Sequence, residues 1–148
     1  MKLKVGDKAP EFNLPDQDNK PHALSESLGK WILLYFYPKD DTFGCTKQAC
    51  AVRDSLPDFS GADCEVFGIS ADSVESHKNF AKKYNLSFTL LSDESKETIK
   101  AYDSLGMLST ARNSFLVNPK GNIAKIYEKV DPQAHAQEVL ADLKDLKQ

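Results

Sequence analysis

Cysteine is scarce in this sequence, and the few that occur do not suit a disulfide framework. There are three, Cys45, Cys50 and Cys64, and an odd number cannot pair completely. The first residues, 1–7, lack the long apolar stretch of a secretory leader. Free thiols are the usual state of cysteine in the reducing cytosol. We therefore expect a cytoplasmic protein in which the thiols of Cys45 and Cys50 are available to react.

Long apolar runs and blocks of basic charge are also missing. The longest apolar run, Trp31–Tyr37, is far shorter than the roughly 20 residues that cross a bilayer. Basic residues number 19 and acidic residues 22, for a formal net charge of −3. An acidic balance without a basic block argues against binding to a phosphate backbone. We expect neither a membrane segment nor nucleic acid as a partner.

Spacings typical of metal sites are absent as well. The three histidines, His22, His77 and His135, lie far apart in the sequence. None falls in a metal-ligand pattern such as H-E-x-x-H or C-x-x-C. Asp40 and Asp41 are adjacent carboxylates, which we interpret as solvated loop charges rather than an acid–base pair. We therefore expect no metal site.

The length suits one domain that folds without cross-links. The chain has 148 residues and contains no repeat, low-complexity tract or long linker. A domain of this size buries roughly 68–70% of the surface of its unfolded chain. We therefore predict a single domain over residues 1–148, in which the cysteines serve chemistry rather than structural cross-linking.

A buried strand followed by a helix is the clearest local pattern. Trp31–Tyr37 is apolar on both faces, as expected of a central strand. Pro38 ends this strand, and a loop leads to a helix that we predict from near Cys45 to about Leu56. Pro57 is expected to stop that helix, because proline lacks the backbone N–H that a helix interior requires.

The rest of the chain alternates between strands and helices. Residues 1–28 are rich in proline and polar turns and predict an irregular or hairpin-like lead-in. Strands are predicted at Cys64–Ser70, Phe88–Leu91, Ser114–Asn118 and Ile123–Tyr127. Helices are predicted from Asp72 or Ser73 to Tyr84, from Glu94 to Tyr102, and from Asp131-Pro132 to Leu146. This order predicts an α/β fold, a central mixed β-sheet flanked by helices.

Cys45 stands where the buried strand gives way to a helix. Free N–H groups and the dipole at a helix N-terminus favour a thiolate, which is the nucleophilic form of cysteine. Thr42, three residues earlier, could hydrogen-bond the sulfur or an incoming oxygen. Local features alone leave a plainer interpretation open, in which Cys45 is an inert helix residue and Thr42 only a helix cap.

The stretch around Cys45 resembles the active site of peroxiredoxins. The pattern Pro38-x-x-x-Thr42-x-x-Cys45 matches the signature of that family. The longer string YFYPKDDT (35–42), followed by GCT and Cys50, is similar to the bacterioferritin comigratory protein (peroxiredoxin Q) branch. Further similarity lies in residues 5–12, 68–73 and 112–117, so that it spans nearly the whole chain.

The resemblance implies a role for five residues. Cys45 would be the peroxidatic cysteine, which attacks the peroxide and becomes a sulfenic acid. Thr42 would hydrogen-bond the reacting oxygens, and Pro38 would shield the sulfur from water. Arg112 matches the active-site arginine, whose fixed charge favours the thiolate. Cys50 would be the resolving cysteine, which attacks the sulfenic acid to form an intramolecular disulfide.

The resemblance also implies the fold and the partners. It implies a thioredoxin-like fold with an N-terminal peroxiredoxin extension, and the reduction of hydrogen peroxide and alkyl hydroperoxides. A thioredoxin-like or glutaredoxin-like donor would then reduce the disulfide. No metal, haem, flavin or nucleotide cofactor is implied, and members of this branch are often monomers.

The spacing of Cys45 and Cys50 predicts a conformational change during the cycle. Residues five apart on an α-helix are separated by about 140° around the axis and roughly 7.5 Å along it, which places their Cα atoms about 8.6 Å apart. A disulfide cannot close beyond roughly 7 Å without backbone movement. If both residues occupy one helix, its first turns must unwind when the disulfide forms.

Cys64 and Phe43 stand outside the resemblance. Cys64 begins an apolar run in a predicted strand, where we interpret it as a small buried hydrophobe rather than a second redox group. Phe43 occupies a position that is often proline in the family. Loss of the rigid proline is expected to loosen the loop before Cys45 and to add apolar surface near the site.

Two other functions share parts of this pattern. A thioredoxin-type disulfide oxidoreductase would need a C-x-x-C pair, but the residue three before Cys45 is Thr42. A non-enzymatic redox sensor or holdase would keep the fold and be oxidised slowly at Cys45. The complete peroxiredoxin signature, together with Arg112, favours catalysis over both.

Overall fold

A computed structural model of residues 1–148 contains seven strands and four α-helices. The strands are β1 (Asn13–Pro15), β2 (Pro21–Ala23), β3 (Trp31–Phe36), β4 (Cys64–Ser70), β5 (Thr89–Ser92), β6 (Ser114–Val117) and β7 (Ile123–Tyr127). The helices are α1 (Phe43–Gly61), α2 (Val74–Tyr84), α3 (Glu97–Ala101) and α4 (His135–Leu146), with a 3-10 turn at Leu24–Ser27. None of the helices combines the length and the apolar character needed to cross a membrane.

Five strands form one mixed sheet in the order β5-β4-β3-β6-β7. The central strand β3 pairs in parallel with β4 and antiparallel with β6. β5 adds in parallel to β4, and β7 adds antiparallel to β6. From Ile32 on, every residue of β3 is buried, because both of its faces are covered. The predicted mixed sheet is confirmed, and β1 and β2 form a separate antiparallel hairpin in the N-terminal extension.

Helices and loops cover both faces of this sheet. On one face, Leu33 and Tyr35 belong to the same buried cluster as residues of α1 and α4. On the other face, Ile32 and Phe36 cluster with α3 and with the segment before β1. Alternate residues of β3 therefore serve opposite faces, as the two-residue period of a strand requires. The first cluster matters most for function, because it contains Cys45.

Helix α1 extends further than the sequence predicts. It begins at Phe43 and runs through Pro57 to Gly61, so the expected stop at Pro57 is wrong. A proline in a helix interior removes one backbone hydrogen bond. The residues beyond it offset this loss, because Phe59 is fully buried in the core and the N–H of Ala62 closes the last turn on helix carbonyls.

The final helix begins later than predicted. α4 begins at His135 rather than at Asp131-Pro132. The carboxylate of Asp131 instead accepts a hydrogen bond from Gln133 N at 2.9 Å, which closes a separate turn before the helix. The capping chemistry of Asp131 was therefore recognised, but it stabilises a turn and not the helix start.

Helix α2 begins where the sequence predicts, whereas α3 is shorter than predicted. α2 follows the prediction, because Ser73 Oγ accepts a hydrogen bond from Ser76 N at 3.1 Å and caps the helix. α3 is shorter than predicted and covers only Glu97–Ala101. Lys96, directly before it, adopts a left-handed conformation with a φ of 65°, which prevents the helix from starting earlier.

Candidate active site

Cys45 lies in the first turn of α1, directly beyond the central strand. The loop 37–42 connects β3 to α1. The backbone carbonyl of Thr42 accepts the first helical hydrogen bond, from Thr46 N at 2.8 Å. The sulfur therefore lies at the helix end where unpaired N–H groups and the positive end of the dipole stabilise negative charge. Cys45 is only 1% exposed.

The guanidinium of Arg112 contacts the sulfur of Cys45. Its Nη2 donates to Cys45 Sγ at 3.4 Å. The sheet brings the two residues together, because Phe36 N at the end of β3 donates to the carbonyl of Asn113 at 2.8 Å. β6 runs antiparallel to β3, so the residues that precede β6 lie beside the end of β3. A cation and a helix N-terminus thus act on the same thiol.

Gln48 holds Arg112 from the side of the helix. Three residues after Cys45, its Oε1 accepts from Arg112 Nη1 at 2.8 Å. Gln48 is buried, and its Nε2 has no hydrogen-bond partner. An amide carries no charge, so it orients the guanidinium without neutralising it. The sequence-based predictions do not include Gln48. A signal for it existed, because residues three apart share one helix face and Gln48 is three residues after Cys45.

Gly44 leaves the space that Arg112 occupies. A Cβ at this position would lie 3.1 Å from Arg112 Nη2 and 3.7 Å from Pro132 Cγ. Ordinary contacts between non-bonded heavy atoms are about 3.5–4.0 Å, so a side chain here would press on the guanidinium. Gly44 therefore contributes to the site by leaving space for the guanidinium of Arg112.

Thr42 and Pro38 lie in the loop that precedes Cys45. Thr42 is exposed, and its hydroxyl donates to the carbonyl of Lys39 at 2.9 Å. It occupies the N-cap position of α1, as the plainer interpretation holds, but its side chain makes no capping hydrogen bond. It makes no hydrogen bond to the sulfur either. Pro38 is half-buried.

Cys45 and Cys50 occupy the same unbroken helix. Both lie within α1, and both are free thiols. Cys50 is half-buried, whereas Cys45 is buried. The condition set by their spacing is therefore met, and a disulfide between them requires the first turns of α1 to unwind.

Cys64 lies beside the opposite end of β3 from Cys45. It pairs with Trp31 at the beginning of β3, whereas Cys45 follows the end of that strand. Burial raises the pKa of the Cys64 thiol to about 12, and a protonated thiol is a poor nucleophile. Both observations agree with its interpretation as a small buried hydrophobe.

Phe43, which stands where the family often has proline, projects into solvent. Its side chain is 80% exposed, and Lys47 Nζ lies 4.3 Å from the centroid of its ring. α1 begins at this residue. The apolar surface expected beside the first turn is therefore present.

Asp40 is not the solvated charge that the sequence suggests. It is 7% exposed, and its carboxylate accepts hydrogen bonds from the hydroxyls of Tyr37 and Ser76 at 2.6 and 2.8 Å. His77 Nδ1 lies 2.6 Å from the same carboxylate. Asp41, by contrast, is exposed, as expected. The loop before Cys45 is thus attached to α2 by a buried group.

A thioredoxin-like sheet that presents a buried thiol at a helix N-terminus, beside an arginine, defines a class of thiol-dependent redox proteins. Solved structures agree with this class. A PrxQ mutant of Xylella fastidiosa superimposes with a TM-score of 0.95 at 31% identity, over 100% of this chain and 99% of that chain. The bacterioferritin comigratory protein of Xanthomonas campestris gives 0.89 at 33% identity, over 93% of this chain and 92% of that chain.

Sequence comparison gives the family. The AhpC/TSA family profile matches residues 5–126. The chloroplastic peroxiredoxin Q of Sedum lineare is 46% identical over 99% of this chain and 81% of its own length. The putative peroxiredoxin bcp of Coxiella burnetii is 41% identical over 97% of this chain and 100% of its own length. The chain belongs to the AhpC/TSA family and, within it, to the peroxiredoxin Q branch.

Family membership defines the reaction class. Peroxiredoxins are thiol peroxidases, so this chain is an oxidoreductase that reduces peroxides with a cysteine thiol. The family, the thioredoxin-like fold and the peroxidase class predicted from the sequence are confirmed. The roles of individual residues follow as a proposal.

Proposed function

We propose that Cys45 is the peroxidatic cysteine and reduces hydrogen peroxide and alkyl hydroperoxides. Its thiolate attacks one peroxide oxygen, so that an S–O bond forms and the O–O bond breaks. The leaving oxygen takes a proton and departs as water or an alcohol, and Cys45 becomes a sulfenic acid. The contact of Arg112 Nη2 with Cys45 Sγ at 3.4 Å carries this proposal, because neither Cys50 nor Cys64 makes such a contact.

Arg112 acts on the charge that moves during the attack. Before the attack, its cation and the helix N-terminus stabilise the thiolate. During the attack, negative charge moves from the sulfur to the leaving oxygen, and the same guanidinium is close enough to receive it. Donors that are oriented in advance stabilise such a transition state without reorganisation. Gln48 supplies this orientation through its hydrogen bond to Arg112 Nη1.

Thr42 and Pro38 complete the proposed site. The Thr42 hydroxyl donates a hydrogen bond to the carbonyl of Lys39, which leaves its oxygen lone pairs free to accept a hydrogen bond from the protonated oxygen of the peroxide. Pro38 has no N–H and is half-buried, and we assign it the role of limiting water around the sulfur.

Access to the sulfur suits a peroxide with a slender reactive end. Cys45 is almost fully buried, so only the terminal –O–O–H group of a substrate reaches it. The exposed ring of Phe43, two residues earlier, offers an apolar surface for an alkyl group. The related Xanthomonas campestris protein is described by its alkyl peroxide reduction activity, which supports alkyl hydroperoxides as substrates here.

Cys50 is the proposed resolving cysteine. Its thiol attacks the sulfenic sulfur of Cys45, so that an S–S bond forms and water leaves. A thioredoxin-like or glutaredoxin-like donor then reduces this disulfide and becomes oxidised in turn. Because both cysteines lie in α1, each catalytic cycle includes the opening and refolding of the first turns of that helix.

We further propose that residues 1–148 act as a single domain, as a monomer and in the cytoplasm. The two buried clusters draw on residues from Ala9 to Leu143, which supports one domain. Three free cysteines suit a reducing compartment. The monomeric state rests on the similarity to the peroxiredoxin Q branch.

Oxidation with one equivalent of hydrogen peroxide, followed by mass spectrometry, tests the assignments. Native and Cys64→Ser proteins should form a Cys45–Cys50 crosslink, and Cys50→Ser should stop at a Cys45 sulfenic acid. Cys45→Ser should lose peroxide turnover with a thioredoxin donor. A Cys45–Cys64 crosslink, or turnover in Cys45→Ser, would contradict the proposal.

A further inference from the structure

A buried polar cluster supports the loop that leads to Cys45. It consists of Tyr37 and Asp40 from the loop and Ser76 and His77 from α2, and we call it the Asp40 cluster. The Asp40 carboxylate accepts from Tyr37 Oη at 2.6 Å and from Ser76 Oγ at 2.8 Å. His77 Nδ1 lies 2.6 Å from Asp40 Oδ2, and His77 is completely buried. The reaction proposed for Cys45 uses none of these groups directly.

Both ring nitrogens of His77 have a hydrogen-bond partner. Its Nε2 lies 2.9 Å from the carbonyl oxygen of Leu91, and a carbonyl only accepts, so Nε2 carries a hydrogen. Its Nδ1 lies 2.6 Å from Asp40 Oδ2, and the same carboxyl group also accepts from the hydroxyls of Tyr37 and Ser76. The ring of His77 is therefore fixed from both sides, by Asp40 and by Leu91.

The same atoms are better suited to hydrogen bonds than to a metal ion. Ligand atoms of Asp40, Asp72 and His77 lie within 4.8 Å of one another. However, His77 Nδ1 is already engaged in its hydrogen bond with Asp40 at 2.6 Å. Asp72 Oδ2 already accepts from Asp40 N at 2.9 Å and from Ser70 Oγ at 2.6 Å. Hydrogens thus occupy the positions that an ion would need.

A second contact attaches the neighbouring loop residue to the same helix. The carboxylate of Asp41 accepts from Lys83 Nζ at 2.8 Å and from Tyr84 Oη at 2.7 Å. Asp41 has a positive φ of 58°, which turns the chain toward the first turn of α1. α2 therefore holds two consecutive loop residues, Asp40 by buried hydrogen bonds and Asp41 by an exposed ion pair.

We propose that His77 is a positioning residue for peroxide reduction, acting through its buried hydrogen bond with Asp40. This contact fixes the loop 37–42 on α2, and this sets the position of Thr42 and of the first N–H groups of α1 around the Cys45 sulfur. His77 belongs to α2, which does not unwind when the disulfide forms. The contact between His77 and Asp40 therefore holds the loop while the first turns of α1 open. This inference rests on the assignment of Cys45 as the attacking residue.

The test compares two reactions of the same thiol. Hydrogen peroxide requires correctly placed hydrogen-bonding groups around the sulfur, whereas alkylation by iodoacetamide requires mainly the thiolate. His77→Gln should lower the second-order rate of Cys45 oxidation roughly 10- to 100-fold, as small displacements of reacting groups do. The rate of alkylation, followed on the Cys45 peptide by mass spectrometry, should change little.

Two further variants keep the test decisive. Ser76→Ala removes a single donor to Asp40 and should lower the peroxide rate in the same selective way, but less, which covers the case in which His77→Gln does not fold. Ile123→Ala removes a buried side chain of β7 that belongs to the cluster on the other face of the sheet from Cys45. It should destabilise the protein without lowering the peroxide rate of the folded molecule.

Several outcomes would overturn the proposal. They are a native peroxide rate in folded His77→Gln, an equal fall of both rates in that variant, or an equal loss of peroxide rate in Ile123→Ala. Nitrogen-15 NMR of the native protein should show a hydrogen on Nε2 of His77, which its contact with the Leu91 carbonyl requires, and a ring without this hydrogen would also count against the proposal. Turnover in Cys45→Ser would instead refute the proposed function itself, so the two failures are distinguishable.

Discussion

Arg112 divides its two terminal nitrogens between Cys45 and Gln48. Arg112→Met should lower the second-order rate of Cys45 oxidation about 100-fold, because one preoriented donor is commonly worth that much. Arg112→Lys keeps the charge but loses the two-pronged geometry, so its rate should fall between those of native and Arg112→Met. Competition with horseradish peroxidase for hydrogen peroxide measures all three. A native rate in Arg112→Met would remove the arginine from the mechanism.

Gly44→Ala tests whether the reaction needs the free space beside the guanidinium of Arg112. Alanine is favoured over glycine in a helix by roughly 0.5–1 kcal/mol, but its Cβ would lie 3.1 Å from Arg112 Nη2. Gly44→Ala should therefore slow Cys45 oxidation about tenfold without lowering the melting temperature. Gly61→Ala is the matched control in the same helix, since nothing lies within 4 Å of its Cβ. Equal rates in the two variants would contradict the prediction.

The residues proposed to carry the reaction were easier to find in the sequence than those proposed to support them. Cys45 was predicted from a motif and from thiol chemistry, whereas Arg112 was predicted only from the resemblance to peroxiredoxins. Gln48 and His77 act only through distances that the fold creates, and glutamine and histidine have many ordinary positions in proteins. A partial signal existed for His77, because it shares one face of α2 with Phe80, three residues later and also buried.

At the scale of secondary structure, strands were predicted more accurately than helix ends. β4 and β7 match their predicted bounds, because each is an apolar run between clear turns. α1 crosses Pro57 because the residues that follow are buried in the core, and tertiary packing of this kind is not visible in a local pattern. Asp131 was predicted to cap the start of the final helix. Its carboxylate instead stabilises a separate turn before that helix.

Helix α1 should respond to oxidation in its first turns. Formation of the Cys45–Cys50 disulfide brings together two residues whose helical separation is too large for an S–S bond. Backbone amides of residues 46–53 should therefore exchange hydrogen faster in the oxidised protein than in the reduced one. Hydrogen-exchange mass spectrometry checks this, with peroxide-treated Cys50→Ser as the control that keeps the reduced pattern. Identical exchange in both redox states of the native protein would mean that the helix does not open.

At the scale of the whole molecule, the free energy of unfolding near neutral pH depends on His135. Burial lowers the pKa of its imidazole, and the hydrogen bond to Glu138 only partly opposes this. The unfolded chain therefore binds this proton at a higher pH, with a pKa of about 6.5. The neutral imidazole of His135 therefore makes its full contribution to the free energy of unfolding above about pH 6.5. This contribution is lost as the pH falls through the lower pKa that His135 has in the folded protein.

Urea unfolding at about pH 7.5 and about pH 5.5 checks this behaviour. The native protein should lose more stability over this interval than His135→Gln, which has no imidazole to protonate. His22→Gln is the control, because His22 is half-exposed and pairs with Asp16, and it should keep the pH dependence that His135 causes. An unchanged pH dependence in His135→Gln would assign the effect to other groups.

Cys45 and Arg112 are 67 residues apart in the sequence, and only the pairing of β3 with β6 brings them into contact. A chain that is still on the ribosome exposes its thiol well before the arginine has been synthesised. Until the sheet closes, that thiol lacks its cationic neighbour. The reactivity that we propose for Cys45 should therefore arise only once folding brings the two residues together, so that an unfinished chain is less exposed to the oxidants that the folded protein removes.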